Sequence, residues 1–144
     1  MQDCNRYREY YEEILRPQPI PRETLESIMI CLGVSPYTLS EILGCSTRAI
    51  YKWLHGGSAR YKYRVKIFQL ERCLELCGVT KEHPLMRRYV MKKVVHGVPP
   101  LWKHLRDGDW NEESVRWVIR AAYEKSIRGR TWHRLRQEKK KNYD

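Results

Sequence analysis

The sequence predicts an all-α fold. Apolar residues recur three and four positions apart through most of the chain, and helix-capping residues with Gly or Pro punctuate the segments. Strict two-residue alternation occurs only at Tyr61, Tyr63, Val65 and Ile67. No internal repeat or low-complexity tract interrupts this pattern.

Tyr7, Tyr10, Tyr11, Ile14 and Leu15 fall on one face of a helix over about residues 3–16. The prolines of 16–21 end it, since proline donates no backbone bond and restricts the residue before it. Leu25, Ile28, Met29 and Leu32 give a second helix over 22–32, with Gly33 as its C-terminal cap. Ser35 followed by Pro36 is a helix start, with Leu39, Ile42 and Leu43 as the apolar face. Gly44 permits a left-handed turn. Ser46 then caps a helix over 47–54 that carries Ile50, Trp53 and Leu54 inward, and Gly56-Gly57 stops it. Over 59–77 the register Tyr63, Ile67, Leu70, Leu74, Cys77 favours a helix, with a short basic strand at its start as the alternative. Further on, the pattern predicts a basic helix over 85–96 and a turn-length helix with Leu101, Trp102 and Leu105. Asp109, with Glu112 three residues on, is compatible with a capping box. It precedes a helix over 110–127 with Val115, Val118, Ile119 and Ala122 inward. Gly129 is expected to separate that helix from a last basic segment, 131–141. The implied organisation is an N-terminal helix and linker (1–21), a helical domain (22–79) and a helical C-terminal region with a basic tail (80–144).

The chain has 144 residues and a formal net charge of +11, which favours an acidic partner: nucleic acid first, an anionic membrane surface second. The charge is concentrated. Residues 48–66 hold six basic side chains and no acid, and residues 125–141 hold eight against Glu138 alone. No apolar run is long enough for a membrane span. The start is neither apolar nor free of acids, unlike a signal peptide. Five cysteines, an odd number, suggest reduced thiols. The expectation is therefore an intracellular, cytoplasmic protein, nucleoid-associated when bound to DNA. Cys73, Cys77 and His83 lack the second ligand pair of a zinc site, and the two cysteines fall in an apolar stripe, so core packing is expected there, with no metal and no cofactor.

The chemistry points to residues 36–54. A short helix, a glycine turn and a second helix with polar residues outward is the layout that reads a major groove. Gly44 supplies the turn, Ser40 is the small residue at the crossing, and Leu39, Ile50 and Trp53 are the inward anchors. Thr47, Arg48, Tyr51 and Lys52 offer hydrogen-bonding groups outward. This segment resembles the helix-turn-helix of the Cro/CI (XRE) repressor family, with the glycine at the turn, Ser46-Thr47 opening the recognition helix and Ile50-x-x-Trp53 anchoring it. The helices expected on either side are similar to the family's flanking helices, so the resemblance covers about 22–79. It is a superfamily-level likeness, shared with sigma-like, excisionase-like and transposase DNA-binding domains. The family's frequent glutamine at the start of the first motif helix is replaced by Pro36 or Tyr37, so no contact is carried over there.

The resemblance implies a duplex-DNA-binding regulator, repressor-like and homodimeric, with Thr47, Arg48, Tyr51 and Lys52 facing bases. Chemistry suggests a bidentate guanine contact for Arg48, phosphate or guanine for Lys52, a base edge or thymine methyl for Thr47, and a methyl or sugar for Tyr51. Ser46, Arg60, Lys62 and Lys66 are the expected phosphate contacts. Trp102, Trp110, Trp117 and Trp132 mark the C-terminal helices as core or as a surface for a second copy or a protein partner. Other classes stay open: a protein-binding adaptor or antitoxin with secondary DNA binding, and an RNA binder using the basic–tyrosine mixture at 61–66. An enzyme is not expected. The histidines are scattered, and helix capping accounts for the acidic cluster Asp107, Asp109, Glu112 and Glu113.

Overall fold

A computed structural model describes the backbone of residues 2–143 and the side chains of residues 6–141. The architecture is all-α. Its elements are α1 (Gln2–Leu15), β1 (Gln18–Pro19), α2 (Arg22–Leu32), α3 (Pro36–Leu43), α4 (Thr47–Leu54), β2 (Ser58–Ala59), α5 (Tyr61–Leu76), α6 (Arg87–Met91), α7 (Leu101–Asp107) and α8 (Glu112–Tyr143). The only ladder among the described residues pairs β1 with β2 antiparallel, Gln18 opposite Ala59 and Pro19 opposite Ser58. It ties the proline-rich linker to the strand that follows α4.

The helix starts and stops obey local chemistry. Gly33 and Gly44 close α2 and α3 at φ 65° and 74°, where a Cβ would be strained. The Ser35 and Ser46 side chains accept the third backbone N–H of α3 and α4, from Thr38 and Ala49. The alternation at 61–67 resolves as helix. The helical register buries Ile67, Leu70 and Leu74, whereas the alternating one would have to bury Tyr61 and Val65, each 42% exposed.

One core joins the two halves of the chain. Leu25, Ile28, Leu39, Leu43, Ile50, Ile67 and Leu70 share it with Leu101, Leu105, Val115 and Ile119. Each such aliphatic side chain contributes about 1.5–3 kcal/mol by leaving water. Helix α5 lies centrally, packed by α2, α3 and α8, and α7 lies on α3.

Three expectations are corrected. The basic helix over 85–96 shrinks to α6 at both ends: ahead of it, Leu85 N–H donates to Cys31 O (2.8 Å) and Met86 N–H to Ser126 Oγ (2.9 Å). The chain after Met91 is irregular, with Lys92 extended and Gly97 left-handed. The cap of α8 is Asn111, whose side-chain oxygen accepts from Glu113 and Ser114 N–H. Asp109 instead accepts from Asn111 N–H one step earlier, and Trp110 between them has φ 56°. Finally, Gly129 does not end a helix. It lies within α8, and a Cβ there would sit 3.1 Å from Tyr89 Oη and 3.2 Å from Met86 Sδ. This glycine serves close packing against α6, and the basic segment continues the same helix.

Helix α1 buries none of its expected face: Tyr7, Tyr10, Tyr11 and Leu15 are exposed and Ile14 is half-buried. Its attachment is Arg64 of α5, a buried guanidinium whose Nη2 donates to Ile14 O (2.6 Å) and Arg16 O (2.9 Å). A cation at these carbonyls also suits the negative end of the helix dipole. Hydrogen bonds from a charged donor are worth about 1.5–3 kcal/mol. Arg64→Met is therefore expected to raise amide exchange in residues 6–15 by roughly 10-fold or more, with α2–α4 still protected; unchanged exchange in α1 would show that something else holds it.

Candidate nucleic-acid interface

Helix α4 is sharply two-faced. Ile50 is fully buried, Trp53 and Leu54 are buried, and the Trp53 ring packs on Tyr63 at 5.4 Å between centroids. The opposite face carries Arg48, Tyr51, Lys52 and His55, all exposed and spaced i, i+3, i+4 and i+7. His55, one of the scattered histidines, belongs to this row, and its i+7 spacing from Arg48 is the sequence signal for it. Its Nδ1 lies 2.7 Å from Tyr51 O, which leaves Nε2 as the outward nitrogen.

The α3–α4 turn is held by a short hydroxyl chain. Ser40 Oγ, in a buried residue, donates to Tyr37 O (2.6 Å), so at 3.2 Å the Thr47 hydroxyl is the donor to Ser40. Thr47 is half-buried and its proton points into the protein, leaving its methyl and lone pairs for any partner. Ser46 is exposed, and its oxygen accepts from Ala49 N–H while its own proton stays free. Lys52 lies across Gly57: a Cβ there would meet Lys52 Cγ at 2.5 Å and Lys52 O at 2.8 Å, so only glycine lets the lysine stem pass.

The six cations of 48–66 divide into two groups. Arg48, Lys52, Arg60 and Lys62 are exposed. Arg64 is committed to α1. Lys66 is half-buried, its Nζ 3.4 Å from Leu43 O at the end of α3 and 5.6 Å from the Trp110 ring centroid. It seals the α3 terminus against the start of α8. Glu41 on α3 accepts a hydrogen bond from the Tyr37 hydroxyl, which pushes that phenol's pKa up.

The other sequence candidates are dispersed. Asp107 pairs with Arg106 (2.8 Å), which lowers its carboxyl pKa, and Glu112 lies 3.6 Å from Arg72. Among the described residues, no three His, Cys, Asp or Glu side chains gather as a metal would require. A cleft of about 500 Å³ runs along α8 between Glu112, Glu113, Arg116, Trp117 and Arg120, and none of the α4 residues lines it. Trp102 and Trp110 pack against the core, whereas Trp117 and Trp132 are exposed. No helix is long and apolar enough to cross a membrane among the described residues. Cys73 is fully buried and Cys77 half-buried; Cys4 lies outside the described side chains. No family, curated protein or solved structure matches this chain.

Two consequences of this geometry can be measured. Gly44 has open space around it but a φ of 74°, so Gly44→Ala costs about 1–2 kcal/mol through backbone conformation alone. Gly44→Asn costs less, and urea denaturation checks both. Cys45 stands in the same turn, and burial pushes its thiol from 9.0 up to about 11. At pH 7.5 its thiolate fraction is then roughly 100-fold below that of the unfolded chain, and iodoacetamide labels it correspondingly slowly. The sign follows: protonated Cys45 stabilises the fold fully below about pH 9, and that contribution is lost as pH rises toward 11.

Proposed function

We propose that this protein is a sequence-specific duplex-DNA-binding regulator, repressor-like, that lays α4 in the major groove. One observation carries the reading: Arg48, Tyr51, Lys52 and His55 form an exposed row on a helix backed by buried Ile50 and Trp53, in a stretch without acids. The major groove admits an α-helix, and its base edges are what arginine and lysine read in bidentate or single contacts. The arrangement of α2–α5 supports the resemblance to the Cro/CI repressor helix-turn-helix noted above, with Leu39, Ser40, Gly44, Ile50 and Trp53 as the motif core.

In this reading Arg48 and Lys52 contact bases, Tyr51 and the Thr47 methyl pack on a thymine methyl or sugar, and Ser46, Arg60 and Lys62 hold phosphates. Lys66 keeps its structural place at the end of α3. A homodimer is part of the proposal, because a single reading helix covers few base pairs and a two-fold protein suits a two-fold operator.

Selection of bound duplexes from a random pool at physiological salt is expected to return a palindromic consensus. Arg48→Ala should cost about 1–3 kcal/mol and relax preference at one position of each half-site. Four outward cations per protomer predict a log–log salt slope of about −4 per protomer, and Lys62→Ala should reduce it by about 1 without changing the consensus. An Arg48→Ala protein with unaltered affinity and base preference would falsify the assignment of α4.

A further inference from the structure

We infer that the free end of α8 is a second, sequence-independent duplex-binding element, one that engages a DNA segment other than the segment under α4. The inference stands on α8 itself and adds a bridging function to the reading above.

Helix α8 starts beside the α3–α4 turn, where Lys66 spans Leu43 O and the Trp110 ring. From there it runs along α5 and past its end: Glu112 faces Arg72, Arg116 O accepts from Cys77 Sγ (3.4 Å), and Tyr123 lies against Gly78. Its last hydrogen bonds to the rest of the fold are Ser126 with Met86 N–H and Arg130 with Pro84 O. Residues 131–141 are exposed throughout. At 1.5 Å per residue, Arg130 is roughly 30 Å along the helix from the Trp110 end, and Lys141 roughly 45 Å. These separations are several times the screening length of about 8 Å at physiological salt. The two basic zones therefore do not act as one patch, and the free end of α8 points away from the turn that carries α4.

The placement of charge around this helix identifies its partner. At 100° per residue, Ile127, Thr131, Leu135 and Glu138 share one sector, and Arg128, Arg130, Arg134, Arg136, Lys139, Lys140 and Lys141 are spread over the remaining three quarters or so of the circumference. A bilayer surface wants cations flanking a broad apolar face. That face is missing here, because Trp132 stands among the cations with Arg136 over its ring at 5.6 Å. A protein groove would want apolar anchors at i, i+3, i+4 and i+7. Cations on nearly all sides suit a helix lying in a groove with phosphates on both walls, as continuous basic helices do in the major groove. The like-charge pairs Arg130–Arg134 and Arg136–Lys140, each four apart, also weaken this stretch of helix in isolation, and phosphates relieve that repulsion.

The test uses the full-length chain with one duplex on beads and a second, labelled duplex in solution. Two variants separate the two elements. The first neutralises the free end (Arg134→Gln, Arg136→Gln, Lys139→Gln, Lys140→Gln, Lys141→Gln); the second disables α4 (Arg48→Ala, Lys52→Ala). The parent is expected to capture the labelled duplex. The first variant should lose at least 10-fold of that capture while keeping any base preference of the parent within about 3-fold in Kd. The second should keep salt-labile, sequence-blind binding, with slowed amide exchange in 131–141 when DNA is added. Capture by the first variant equal to the parent's overturns the inference. So does unchanged exchange in 131–141, or displacement of DNA from the second variant by anionic phosphatidylserine vesicles. Absence of any base preference in the parent would count against the α4 reading alone.

Discussion

Ile67, Leu70, Cys73 and Leu74 give α5 a face that water does not reach, and α2, α3 and α8 take their positions against this helix. Helices α2 and α3 pack on it from the N-terminal half of the chain and α8 from the C-terminal half. Its polar side chains then fix what packing alone would leave loose. Arg64 holds the end of α1, Lys66 the end of α3, Gln69 the carbonyl of Trp110, and Arg72 stands opposite Glu112. A helix with this many obligations has few free positions. The exposed residues Tyr61, Val65 and Phe68 form the one apolar row left to it in its first half.

The arrangement explains why net charge is a poor count of contacts. Six cations lie between 48 and 66, yet two of them spend their hydrogen bonds on backbone carbonyls at helix ends. Both are on α5, and both fall where a neighbouring helix terminates. A guanidinium or ammonium in such a place satisfies carbonyls that no intrahelical donor reaches and suits the negative end of the dipole. The remaining four cations, on α4 and at the start of α5, have no such claim on them.

Legibility followed the range of the deciding interaction. The end of α2, both ends of α3 and the start of α4 were readable because their caps are Gly33, Ser35, Gly44 and Ser46, residues whose preferences act within four positions. The inward set Leu39, Ile50 and Trp53 was readable from spacing, and so was most of the α4 outward row. Gly129 misled because glycine signals a helix end through positive φ, whereas here it is chosen by the approach of Tyr89 and Met86, some forty positions earlier in the chain. The start of α6 was misplaced for a similar reason, since Leu85 and Met86 donate their backbone protons to Cys31 and Ser126. The inward turn of Thr47 and the roles of Arg64 and Lys66 likewise depend on partners that spacing does not reveal. The exposed tyrosine row of α1 shows the converse: a clean helical periodicity need not be buried.

The two basic helices differ in how they respond to a change in phase. One residue inserted into an α-helix turns everything beyond it by 100° and adds 1.5 Å. On α4 that step would carry half of the outward row toward the core and destroy the match of Ile50 and Trp53 to α3. On the free end of α8, where cations occupy most azimuths, the same step exchanges one set of positive side chains for another. Insertions and deletions can therefore accumulate beyond Arg130 with little electrostatic consequence, while the eight residues of α4 must keep their count.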